Sequence, residues 1–162
     1  MNRPDQKPLP PRPIDATMHG VTDYTVGTML MTAFPKIANL EGTRAEGQIR
    51  AAGAIHAGYS VFTDYPLGAV KVIPYQAHLA MDAVGAVALA ATPFVTGQYK
   101  QGPKEWVPHV ALALFELASL AMTDPTGRGS YHGDPERMRE VNMMDPHPAT
   151  RDGGPAVVPA SA

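Results

Sequence analysis

The 162 residues carry 13 basic and 15 acidic side chains, a formal charge of −2, and no cysteine. A near-neutral balance points away from nucleic acid and strongly charged partners, and the lack of cysteine excludes disulfides, thiolate chemistry and Cys-type zinc or iron–sulfur sites. The charged fraction of 17% is below the roughly 25% of an ordinary soluble domain.

Residues 1–14 form a proline-rich arm. Pro8, Pro10, Pro11 and Pro13 favour an extended polyproline II path. Met1 to Pro13 has no apolar core, so no cleavable signal peptide is expected, and a first membrane helix would serve as its own signal. Asp15 is an N-cap candidate for a first helix at about 16–34. A polar connection leads to a second helix at about 46–63, rich in small residues from Ala51 to Gly58. Asp64 to Ile73 returns the chain. A third helix follows Pro74 at about 75–94, a polar connection spans Gly97 to Glu105, and a fourth helix covers about 106–123. Residues 128–162 form a polar C-terminal tail. Within it Asp134-Pro135-Glu136 sets a cap before proline at the first helical position, which predicts a short helix near 135–144.

The four long helices read as a repeated pair. His19-Gly20-Val21-Thr22-Asp23 returns as His78-Leu79-Ala80-Met81-Asp82, and Thr63-Asp64 returns as Thr123-Asp124. His-x-x-x-Asp sets the two side chains one turn apart on one helix face. The expected core is therefore residues 15–127, with repeats at 15–68 and 74–127. The fold class is all-α: a four-helix transmembrane bundle of two repeated hairpins, with extended Pro-rich tails.

The third and fourth helices read as membrane spans. Ala83 to Ala91 has no charge and Val110 to Met122 has only Glu116. Eighteen to twenty residues cover about 27–30 Å, the thickness of a bilayer core. The first two helices are weaker spans, because Asp23, Arg50 and His56 interrupt them.

The chain also resembles the SPW-repeat family of small bacterial membrane proteins. The resemblance lies in Met18-His19-Gly20 with Asp23-Tyr24, in Thr63-Asp64-Tyr65 with Leu67-Gly68, and in Ile73-Pro74 with His78-Leu79-Ala80 and Asp82. Pro108-His109 and Glu116 complete it, over residues 16–124. The name-giving Ser-Pro-Trp is replaced by Ala33-Phe34-Pro35 and Thr92-Pro93-Phe94. The resemblance implies a duplicated helix pair in the bacterial inner (cytoplasmic) membrane and implies no reaction. Eight basic residues on the side of the termini against five on the other favour cytoplasmic termini.

Spacing predicts a polar layer. Asp23 lies eight residues after Asp15 and Asp82 eight after Pro74, while His56 lies eight before Asp64 and Glu116 eight before Asp124. In an up-down-up-down bundle all four groups sit about 12 Å from one face, with His19 and His78 one turn nearer to it. The layer His19, Asp23, His56, His78, Asp82 and Glu116 is expected to be an interhelical hydrogen-bonded network. No catalytic residue and no metal ligand is assigned from spacing, because the Glu-x-x-His pattern of di-iron bundles is absent. His56 is the cofactor-binding candidate. Ala52, Gly53, Ala57 and Gly58 could clear space round it for a tetrapyrrole, or could serve close helix packing instead.

The expected function is a non-enzymatic integral membrane protein, a structural or accessory subunit. Its partners are the lipid bilayer and other membrane protein subunits, docked through residues 1–14 and 128–162, with no nucleic acid. Two alternatives stay open: a cofactor-, metal- or ion-binding membrane bundle using the His/Asp/Glu layer, and a soluble Ala-rich four-helix bundle that binds a ligand.

Overall fold

A computed structural model describes residues 12–127. The N-terminal arm up to residue 11, the tail 128–162 and the short helix expected near 135–144 lie outside the described residues. The described chain is all-α. Helix α1 (Ala16–Met31) is followed by a short helix α2 (Phe34–Ile37), then α3 (Arg44–Val61), α4 (Tyr75–Val95) and α5 (Val107–Met122), with 3-10 turns at Gln98–Gln101 and Pro103–Glu105. The four long helices are those expected. Helix α2 and the 3-10 turns are additions, since Phe34 ends no long helix: Thr32 closes α1 and Pro35 starts a new turn.

Local chemistry explains the boundaries. The Asp15 carboxylate accepts the Met18 N–H at 2.8 Å and opens α1. At α3, the Thr43 hydroxyl oxygen accepts Glu46 N–H at 3.2 Å, and Glu46 accepts Gly42 N–H at 2.9 Å, close to a capping box. Two further α3 amides, of Arg44 and Ala45, donate to the buried Glu105 carboxylate at 3.4 and 3.1 Å. A residue sixty positions downstream thus supplies an anion to the positive end of the helix. Gly97 closes α4 in the left-handed region (φ 71°), where a residue without Cβ bears no penalty. Helix α5 has 16 residues, fewer than expected, because the chain before it is drawn into the 3-10 turn that carries Glu105.

Contacts between α1 and α3 run in opposite directions along the two helices. The Arg50 guanidinium donates to the Met31 carbonyl, Gly53 meets Leu30, Ala57 meets Gly27 and His56 meets Asp23. The pair is therefore antiparallel. Helices α4 and α5 are antiparallel too, with Gln76 bonded to Pro125 at one end and Phe94 against Trp106 at the other. A Cβ on Gly53 would stand 2.7 Å from Leu30 Cβ and 2.8 Å from the Gly27 carbonyl oxygen, so the α1–α3 seam needs glycine at that point.

Two isolated parallel bridges tie the pairs together. Ile14 pairs with Thr123 and Thr63 pairs with Ile73. Ile14, assigned from sequence to the arm, is instead bonded to the end of α5: its N–H reaches the Met122 carbonyl at 3.2 Å and its carbonyl accepts Asp124 N–H at 2.7 Å.

Hydrophobic packing is split into two small clusters. One joins Leu30, Leu40, Ala45 and Ile49, and the other joins Ala16, Tyr65 and Tyr75. Buried polar and charged residues outnumber buried hydrophobic ones among the described residues. Large apolar side chains face outward, with Val84 70%, Leu114 63%, Ile55 67% and Val87 60% exposed. Among the described residues one helix, α4, is long and apolar enough to cross a membrane, and α5 is a shorter apolar helix.

Candidate functional site

Helices α1 and α4 each bring a histidine and an aspartate to the middle of the molecule. His19, Asp23, His78 and Asp82 are all buried. One-turn spacing does set His19 near Asp23 (3.5 Å) and His78 near Asp82 (3.2 Å). The shorter contacts run between helices: His19 Nε2 lies 3.1 Å from Asp82 Oδ2, and His78 Nε2 lies 3.0 Å from Asp23 Oδ2. The four side chains thus close a ring in which each imidazole Nε2 touches both carboxylates.

A support surrounds the ring. His19 Nδ1 is 3.1 Å from the Thr123 hydroxyl and His78 Nδ1 is 2.7 Å from the Thr63 hydroxyl. Each threonine hydroxyl donates its own proton to the carbonyl one turn back, Thr123 to Ser119 and Thr63 to Tyr59, both at 2.9 Å. A hydroxyl has one proton to give. Each must therefore accept from its histidine, so Nδ1 of both imidazoles carries hydrogen. On the carboxylate side, the Tyr65 phenol donates to Asp23 Oδ2 at 3.1 Å and the Tyr59 phenol donates to Asp82 Oδ1. Burial pushes the Tyr65 phenol above its ordinary range, which keeps it a donor.

His56 and Glu116 join from α3 and α5. His56 Nε2 is 3.3 Å from Asp23 Oδ1, and Nδ1 is 2.8 Å from the Tyr59 phenol oxygen. The Glu116 carboxylate falls within 4.8 Å of ligating atoms of His56 and Asp82. All six side chains of the expected layer therefore meet. A cavity of about 380 Å³ adjoins them, lined by apolar side chains of α1, α3, α4 and α5 together with Gln48, His56, Tyr59, Asp82 and Glu116.

The small residues near His56 serve two purposes. Gly53 and Ala57 are pressed against α1, as close packing requires, while Ala52 lines the cavity and Gly58 faces open space. Both nitrogens of His56 lie within hydrogen-bond distance of side chains, Nε2 of Asp23 and Nδ1 of Tyr59.

Sequence reasoning missed Tyr59, Thr63, Tyr65 and Thr123. The doubled Thr-Asp of Thr63-Asp64 and Thr123-Asp124 was the available signal for two of them. It also missed a second buried polar group, where Gln98 bonds Glu105 at 2.8 Å and His109 bonds Gln48 at 2.9 Å.

The fold and site define an all-α protein built round a buried imidazole–carboxylate cluster. Comparison with protein-family models, with curated proteins and with solved structures finds no match to this chain.

Proposed function

We propose that the chain is a non-enzymatic integral membrane protein, a duplicated four-helix bundle that serves as a structural or accessory subunit. The observation that carries this reading is the inverted distribution of polarity: charged and polar side chains inside, large apolar side chains outside. In water such an exterior is a liability, since exposed apolar surface gathers partners or aggregates. In a bilayer it is the ground state, and interior polar groups pair with one another because lipid offers them nothing. The resemblance to SPW-repeat proteins supports the same placement, in the bacterial cytoplasmic membrane with cytoplasmic termini. The duplication is supported by matching contacts, His19 with Thr123 and His78 with Thr63. Residues 1–11 and 128–162 would then dock on partner subunits.

Alkaline carbonate washing of membranes tests the placement. The chain should stay in the pellet, and its release into the supernatant would refute the reading. Gentle detergent extraction tests the subunit role. A species larger than one chain with its micelle is expected, whereas a lone chain would leave only the membrane placement standing.

A further inference from the structure

We propose that His19, Asp23, His78 and Asp82 form a tetrahedral site for one divalent transition-metal ion of the zinc type. The first ground is geometry. Zinc holds nitrogen and oxygen ligands at about 2.0–2.1 Å, and the edge of the corresponding tetrahedron is about 3.3–3.4 Å. With Asp82 Oδ2 and Asp23 Oδ2 as the oxygen ligands, three edges measure 3.1, 3.2 and 3.0 Å, while the 3.5 Å contact of His19 Nε2 is to the other Asp23 oxygen, Oδ1. Two imidazole nitrogens and two carboxylates are a donor set that suits such an ion.

The second ground is the direction of the hydrogen atoms. Thr63 and Thr123 hold the Nδ1 hydrogens, so in a neutral imidazole the Nε2 lone pair points at the carboxylates. Lone pair would then face lone pair in a fully buried space. Protons between nitrogen and oxygen, whichever of the two carries them, resolve this, and so does one divalent cation. Both satisfy the two carboxylate charges. The third ground separates these. His19 Nε2 is aligned with Asp82 Oδ2 at 3.1 Å as a hydrogen bond would be, but His78 Nε2, fully buried and 3.0 and 3.2 Å from two carboxylate oxygens, makes no aligned hydrogen bond to either. A nitrogen set between two oxygens instead of along one of them suits a shared ion better than an N–H donor.

The surroundings match what a metal site needs. Each ligating imidazole donates its outer N–H to an oxygen, and each carboxylate accepts a phenol proton from Tyr65 or Tyr59. Such outer contacts orient ligands and raise their basicity.

The test uses the full chain, purified in mild detergent and stripped with a chelator. Cobalt(II) is added, then displaced with zinc. One cobalt per chain, with the intense visible absorption of tetrahedral cobalt and loss of that band on zinc addition, is the expected result. Asp82→Asn should weaken cobalt binding at least a hundredfold. Thr63→Val keeps all four ligands but removes one imidazole support, and should weaken it about 10–100-fold. His109→Gln, at a buried histidine outside the ring, should bind as wild type. Wild-type protein that takes up no stoichiometric cobalt, or shows only the pale spectrum of octahedral cobalt, overturns the site. If Asp82→Asn does not fold, Thr63→Val decides: unchanged binding there overturns the assignment to this ring.

Discussion

Thr63 and Thr123 show how much one hydroxyl decides. Each spends its proton on a carbonyl of its own helix and so becomes a pure acceptor for a buried histidine. Thr63→Val is nearly isosteric but leaves His78 Nδ1–H without a partner. A buried donor stripped of its acceptor costs about 1–3 kcal/mol. Thr92→Val removes only an exposed bond to the Ala88 carbonyl and should cost well under that. Thermal melts of the two variants in the same detergent check the difference; equal shifts would mean that the Thr63–His78 contact does not matter. The His-x-x-x-Asp spacing made all four ring residues legible, because one-turn spacing is a local property of a helix. The cross-pairing, His19 with Asp82 and His78 with Asp23, was not legible, because helix spacing says nothing about which helix lies opposite.

Among the elements, the seam between α1 and α3 is set by absent side chains. Gly27 and Gly53 let the two backbones approach, and any larger group must push them apart. Gly53→Val is expected to destabilise by about 1–3 kcal/mol, the range for overpacking a close interface. Gly58, on the same helix, has nothing within 4 Å of an added Cβ. Gly58→Ala should be neutral or stabilise by up to about 1 kcal/mol through helix propensity alone. A circular dichroism melt of each variant reads the contrast, and a neutral Gly53→Val would remove the tight seam. The run of small residues from Ala51 to Gly58 was visible in the sequence, but not which of them face α1. The helix start at Asp15 was legible because its cap is local, whereas the Thr43 cap was not picked out and the second helix was placed at about 46 instead of Arg44. Helix ends were misplaced where a distant residue takes part: Glu105 caps α3 from across the molecule, and its own segment shortens α5.

At the scale of the whole molecule, the two helix pairs are joined at their ends as well as through the buried ring and the apolar clusters. Ile73 bonds to the end of α3 and Ile14 to the end of α5, so each pair begins on the other's terminus. This closure was hidden in the sequence, because Ile14 sits among prolines and reads as part of the arm. It makes a sharp truncation prediction. Removing residues 1–11 and 128–162 should leave the bundle folded and its melting temperature nearly unchanged. Extending the N-terminal cut through Ile14 removes two backbone bonds to α5 and the bond from Arg12 to the Thr123 carbonyl at 3.0 Å. At about 1 kcal/mol net for each of the three bonds, the loss is about 3 kcal/mol. The effect should also reach the buried ring, since Thr123, freed of Ile14, no longer fixes His19. The double-mutant cycle between the longer truncation and Thr123→Val measures that link. A coupling close to zero would show that the chain end and the His19 support act independently.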